Sequence, residues 1–91
     1  MIARIWHGYT KFENASVYEI MLNEEILTGI KKRNIKGFID IQLLIRKLGN
    51  EVEFVTIMRF DSLASVKEFA GEDYEKAVIY ADAKPLLLRY D

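Results

Sequence analysis

Residues 38–60, FIDIQLLIRKLGNEVEFVTIMRF, read as two long strand patterns, Phe38 to Lys47 and Glu51 to Phe60, folded back on each other across Gly49-Asn50. A two-residue Gly/Asn loop suits a hairpin, because such turns need the positive φ that glycine adopts without strain. With Gly49 and Asn50 at the centre of the turn, Ile39, Ile41, Leu43 and Ile45 fall opposite Phe60, Met58, Thr56 and Phe54. One side of the ribbon is then almost wholly apolar, as period-two alternation allows. The reverse side sets Asp40 against Arg59 and Arg46 against Glu53, with Gln42, Leu44, Val55 and Ile57 between them. Opposite charges directly across a ladder reinforce that register, and a slip of one residue would mix the two sides.

Residues 2–7 before this ribbon suit a strand, and Thr10 to Gly29 reads as a helix with Ala15, Tyr18, Leu22 and Ile26 on its apolar side. Thr10 and Glu13 have capping-box spacing, Gly29 is a candidate stop, and Lys31, Lys32 and Arg33 lie where cations favour the carbonyl end of the helix. Beyond the ribbon, Asp61 or Ser62 caps a second helix with Leu63, Val66, Phe69 and Ala70 as its buried stripe and Gly71 as its end. A short helical piece with Tyr74, Ala77 and Val78 on one side is expected next, and Pro85 introduces a last extended segment, Leu86 to Tyr90. The order is that of a ferredoxin-like α+β sheet, βαββαβ, with both helices on one face above Ile41 and Met58. The opposite face of the sheet remains partly apolar, and a second copy of the chain is the expected cover.

Composition bounds the function. At 91 residues the chain reads as a single domain, 1–91, whose small core favours reinforcement, and with no cysteine that reinforcement cannot be a disulfide. Thirteen basic and fourteen acidic side chains leave a charge of −1, which argues against nucleic acid or an anionic membrane as partner. The longest purely apolar run, Ala77 to Ala81, is far short of the roughly 20 residues of a membrane span, and a cytoplasmic location is expected. The glycines form neither a phosphate loop nor a dinucleotide fingerprint, and one histidine cannot build a multi-histidine metal site. No metal or organic cofactor is expected.

Ala3-Arg4-Ile5-Trp6-His7-Gly8, the ribbon's exit Phe60-Asp61-Ser62-Leu63, and Val66-Lys67-Glu68-Phe69-Ala70-Gly71-Glu72-Asp73 resemble the antibiotic biosynthesis monooxygenase family of dimeric α/β barrel proteins. The resemblance spans nearly the whole chain. It implies a homodimer whose two sheets close into a barrel, a small pocket in each subunit between sheet and helices, and oxygenation of aromatic, quinol-like molecules without metal or flavin. Haem-degrading relatives use an Asn, Trp and His set; the positions here that align with the Trp and His, on the second helical region, are Phe69 and Ile79, which speaks against that activity. Similar proteins also continue into a final strand where this chain reaches Asp91, so either Leu86 to Tyr90 serves as that strand or the sheet edge stays open.

Cofactor-free oxygenation requires an aromatic pocket, a base to make a phenolate, and donors to hold its charge. His7 is the candidate base, set against the alternative of a structural histidine at a strand end. Tyr18, Phe69, Tyr74 and Tyr80 are the candidate substrate-binding residues, set against their use as core filler. Arg4 and Arg59 are candidate oxyanion donors, with the Asp40 pairing already accounting for Arg59. Trp6 and His7, adjacent on a strand, must point to opposite sides, so only one of them can face the helices. The competing readings are a non-catalytic small-molecule-binding or structural homodimer, and a haem protein with His7 as axial ligand.

Overall fold

A computed structural model describes residues 1–75 and 78–91. Four strands, β1 (Ile2–Lys11), β2 (Phe38–Leu48), β3 (Glu51–Phe60) and β4 (Leu87–Tyr90), form one antiparallel sheet in the order β2-β3-β1-β4. Three α-helices, α1 (Ala15–Met21), α2 (Leu27–Lys32) and α3 (Leu63–Ala70), lie on one face of it. This is a ferredoxin-like α+β sheet with an open edge on each side.

The central ribbon has the register its charges and apolar residues dictate: Ile41 lies opposite Met58, Leu43 opposite Thr56, Ile45 opposite Phe54 and Leu48 opposite Glu51. Gly49 takes φ +62 at the first turn position, the backbone demand that glycine meets there. Asp40 and Arg59 form an ion pair across the ladder, and Arg46 Nε donates to Glu53 Oε1 at 2.9 Å. One expected partner is displaced. A bulge between Phe38 and Asp40 sets Phe38 opposite Phe60 and pushes Ile39 outward, where it is 47% exposed. The extra residue turns the larger Phe38 ring into the core, with its centroid 5.8 Å from that of Phe60.

Even-numbered residues of β1 and β3 point at the helices, and the side chains there make two adjoining clusters. Leu27, Ile30, Ile35, Met58, Phe60, Val66 and Phe69 form one; Trp6, Tyr18, Leu22, Val52, Phe54 and Ala83 form the other. Phe54 and Phe60 are wholly buried, each contributing roughly 1.5–3 kcal/mol by removal of its ring from water.

The helical boundaries differ from the sequence expectation in three places. β1 runs on to Lys11, so Thr10 is buried in the sheet opposite Val52 and cannot cap a helix; the first arm opens instead with a 3₁₀ turn at Phe12–Asn14. Gly29 lies inside α2, and Asn34 at φ +50 supplies the left-handed residue after the arm. Burial of Leu27 and Ile30 on the core side outweighs the roughly 1 kcal/mol that glycine costs in a helix. Between α1 and α2 the backbone widens into a π-helical turn, Leu22–Ile26, beside which Thr28 Oγ1 donates to the Asn23 carbonyl at 2.9 Å.

Helix α3 follows the expected caps: Ser62 Oγ accepts from the Ser65 amide at 3.3 Å, and Gly71 ends it at φ +88. Leu63 is 39% exposed, and Ser65 takes the buried place expected for it. Arg33 donates to the carbonyls of Phe69 and Glu68, which fastens the arm containing α2 to the carbonyl end of α3. No α-helix follows Glu72 among the described residues; Tyr74 and Val78 pack against the core, and Ala77 lies outside the described residues. A 3₁₀ turn at Lys84–Leu86 leads into β4, which pairs with β1, so the short final strand is present.

The expected closure into a barrel does not occur. β2 and β4 are the two edges of an open sheet, each paired on one side among the described residues, and a sheet with two such edges is not a closed barrel. No helix among the described residues is long and apolar enough to cross a membrane.

The ring of Trp6 lies over Gly8, where a Cβ would overlap its six-membered ring. Gly8→Ala is expected to displace the indole and to destabilise the fold by about 1–3 kcal/mol, the usual cost of overpacking. Chemical denaturation together with a shift in Trp6 emission checks this.

Candidate functional site

The two faces of the sheet carry different chemistry, and strand alternation assigns each residue to one of them. Toward the helices, Trp6 from β1, Tyr18 and Leu22 from the first arm, Met58 from β3, Phe69 from α3 and Tyr80 before the last turn surround a cavity of about 40 Å³. Of the four expected substrate-binding residues, Tyr18, Phe69 and Tyr80 line it, and Tyr74 does not; Tyr74 lies on the core nearby, with Lys67 Nζ 5.8 Å from its ring centroid.

The lining is aromatic and mostly apolar. Tyr18 meets Phe54 edge to face at 4.8 Å, and the guanidinium groups of Arg4 and Arg33 approach the Phe69 ring at 5.4 and 5.3 Å. Burial pushes the Tyr18 phenol up from its ordinary range. The Tyr80 phenol is raised too, chiefly by burial, with Arg33 and Arg4 pulling it back. Arg4 is held below the usual guanidinium value by burial, against the opposing fields of Tyr80 and Asp91. The indole N–H of Trp6 is buried and has no hydrogen-bond partner among the described residues. A buried donor in that condition costs about 1–3 kcal/mol relative to a satisfied one.

His7 lies on the other face. There Glu53, opposite Tyr9 on one side and Arg46 on the other, is the centre of a polar cluster. Its Oε2 accepts from the Tyr9 hydroxyl at 2.9 Å and lies 3.3 Å from His7 Nδ1, while Oε1 accepts from Arg46. Its side chain is 8% exposed, although the sheet face around it is open, because these three neighbours cover it. The hydrogen bond from Tyr9 is the main reason that the Glu53 carboxyl lies below its usual range; burial works against this, and His7 and Arg46 add to it. The same bond raises the Tyr9 phenol. Arg89 of β4 stacks on Tyr9 at 4.1 Å and forms a two-pronged pair with Glu51 at 2.7 and 3.1 Å.

The sheet therefore separates the candidate base from the candidate substrate-binding residues. Sequence reading identified the Arg46–Glu53 pair but not the roles of Tyr9 and His7 in it, which share odd-numbered parity on β1 and could have been found from that. It also left open the direction of Trp6. No group of three or more potential metal-ligating side chains occurs among the described residues.

Comparison with known proteins gives a likeness of fold. No protein-family model matches the chain, and no curated protein matches it. Among solved structures, one from Bacillus cereus that carries the name of an antibiotic biosynthesis monooxygenase superposes with a TM-score of 0.67 at 18% identity, over 98% of this chain and 84% of that one.

Because Glu53 is a stronger acid folded than unfolded, its contribution to stability is complete above the ordinary carboxylate range and is lost as pH falls below it. Glu53→Gln is expected to flatten that acid limb of the urea midpoint against pH. An unchanged acid limb would show that the cluster contributes nothing.

Proposed function

We propose that this protein binds a small aromatic molecule in the cavity between helices and sheet, and that it acts as a homodimer covering the outer sheet face. The observation that carries the reading is the convergence of Trp6, Tyr18, Phe69 and Tyr80 on one cavity, with the indole N–H of Trp6, a lining residue, buried and without a partner among the described residues. Aromatic walls with few polar groups suit an apolar ring, and a buried N–H without a partner suits an acceptor oxygen on it. For the homodimer, Ile5 and Leu44 are 55% and 51% exposed beside Val55 and Ile57, and this apolar strip lies between the Asp40–Arg59 pair and the Glu53 cluster. An apolar centre with charged flanks is the composition of a surface that associates with its like.

A second reading is cofactor-independent oxygenation of the same aromatic ligand, favoured by the likeness of fold and by Arg4 and Arg33 beside Tyr80, where phenolate charge would be stabilised. His7 does not reach the cavity in that reading. A base role for it belongs to the outer face, where Glu53 holds Nδ1 of the ring.

Trp6 is the only tryptophan, so ligand binding has a direct signal. A panel of phenols and quinols is expected to contain members that change Trp6 emission and stabilise the fold by about 2.7 kcal/mol at one hundred times Kd. Oxygen uptake with the same members separates the two readings: consumption with product supports the oxygenase, binding alone the binding protein. Failure of the whole panel to bind would refute both. For the assembly, sedimentation should give a dimer that Ile57→Lys converts to a monomer, and a monomeric wild type refutes it.

A further inference from the structure

The cavity is too small for the ligand it is shaped to hold. About 40 Å³ accommodates a few water molecules and no aromatic ring. Directly outside it lies a second chamber of about 410 Å³, bounded by Met21, Glu25, Gly29, Arg33, Ala81 and Asp82. The two spaces share three wall residues, Ile26, Ile30 and Tyr80. The outer one falls in the size range of small-molecule pockets and has charge at its rim.

We infer that Tyr80 is the gate between the two spaces, that its ring on turning outward gives up to the inner cavity the room an aromatic ring needs, and that the ligand is elongated: an aromatic head bearing an oxygen acceptor enters the inner cavity, and a neutral or cationic tail occupies the outer chamber. This rests on the reading of the inner cavity as a ligand site.

Five features support it. The Tyr80 carbonyl accepts from the amides of Ala83 and Lys84 at 3.0 and 3.1 Å, which holds the backbone, while the half-buried side chain packs against both core clusters, so a turn about χ1 would open the wall between the two spaces. The wall facing Tyr80 is the π-helical turn ending at Ile26, a wider and less regular stretch of backbone than the helices on either side. Gly29 lines the chamber, and a Cβ there would meet no atom within 4 Å among the described residues, so the missing side chain keeps the chamber open. The charge of the rim selects the tail: Glu25 and Asp82 form no ion pair among the described residues, whereas Arg33 already gives its terminal N–H groups to the Phe69 and Glu68 carbonyls. The head is selected by the buried N–H of Trp6.

The probes are phenol, 4-(4-hydroxyphenyl)butylamine, and the corresponding butanol and butyrate, with binding followed by Trp6 emission and by saturation-transfer NMR. The amine and the alcohol are expected to bind at least about tenfold more tightly than phenol or the butyrate, the scale of one gained or mismatched polar contact. Gly29→Leu projects a side chain into the chamber from a helical position where an added Cβ meets no atom within 4 Å among the described residues, so the variant is expected to fold. It should bring the amine and the alcohol down to the affinity of phenol while leaving phenol itself unchanged. Tyr80→Ala should speed association of every probe in stopped flow, and Ile26→Ala, which opens the same wall from the helix side, provides the same test if the first variant folds poorly. Tail preference that survives Gly29→Leu places the tail elsewhere and overturns the two-chamber assignment. Association rates unchanged in both wall variants overturn the gate, and phenol binding that persists would leave the inner cavity a ligand site. Absence of binding by all four probes to the wild type and the wall variants overturns the inference together with the reading on which it rests.

Discussion

Strand β3 is paired on both sides, so a single alternation of its side chains governs the whole molecule. With Val52, Phe54, Thr56, Met58 and Phe60 turned toward the helices, Glu53, Val55, Ile57 and Arg59 are turned away, and antiparallel pairing imposes the same division on β1 and β2. The helices find an apolar bed only in this arrangement. A shift of one residue would put a carboxylate and a guanidinium beneath them and expose two phenylalanines, a loss of several kilocalories per mole at each site. The same division determines which functional groups can meet: Trp6 belongs to the aromatic cavity, and His7, its neighbour in sequence, belongs to the polar cluster around Glu53.

The ribbon was legible because two independent patterns, apolar alternation and paired charges, specify one register. Ile39 escaped this reading because the bulge beside it answers to the size of Phe38, a matter of volume in the core that no periodicity records. The first helical arm was legible in its apolar side, in Tyr18, Leu22 and Ile26, and not in its ends. Thr10 and Gly29 carry local signals for a start and a stop, yet both are overruled by burial, of Thr10 in the sheet and of Ile30 beyond the glycine. The cavity residues Tyr18, Phe69 and Tyr80 were legible as aromatics on helical or adjoining segments. The environment of Glu53 was not, since it requires lateral alignment across three strands, and the side to which Trp6 points follows only once β1 is placed against β3.

The polar cluster and the cavity are built on opposite principles. Around Glu53 every carboxylate oxygen has a donor, so the charge is stabilised by satisfied hydrogen bonds at the surface. Around the cavity the phenols and the Arg4 guanidinium are disfavoured in their charged forms by burial, and a buried indole donor stays unsatisfied. The first is a finished structure whose worth is mechanical. The second leaves a buried donor whose desolvation cost is not offset by any hydrogen bond among the described residues.

The long outer strand has a further consequence. β2 spans Phe38–Leu48 and pairs only with β3, leaving one backbone margin open along eleven residues that include the exposed Ile39, Leu44, Ile45 and Leu48. Such a margin is a template for foreign strands during synthesis and at high concentration. Asp40, Arg46 and Lys47 interrupt it with charge, and the kink at Phe38 spoils its flatness, so these residues guard the chain against fibrous self-association as well as shaping its native sheet.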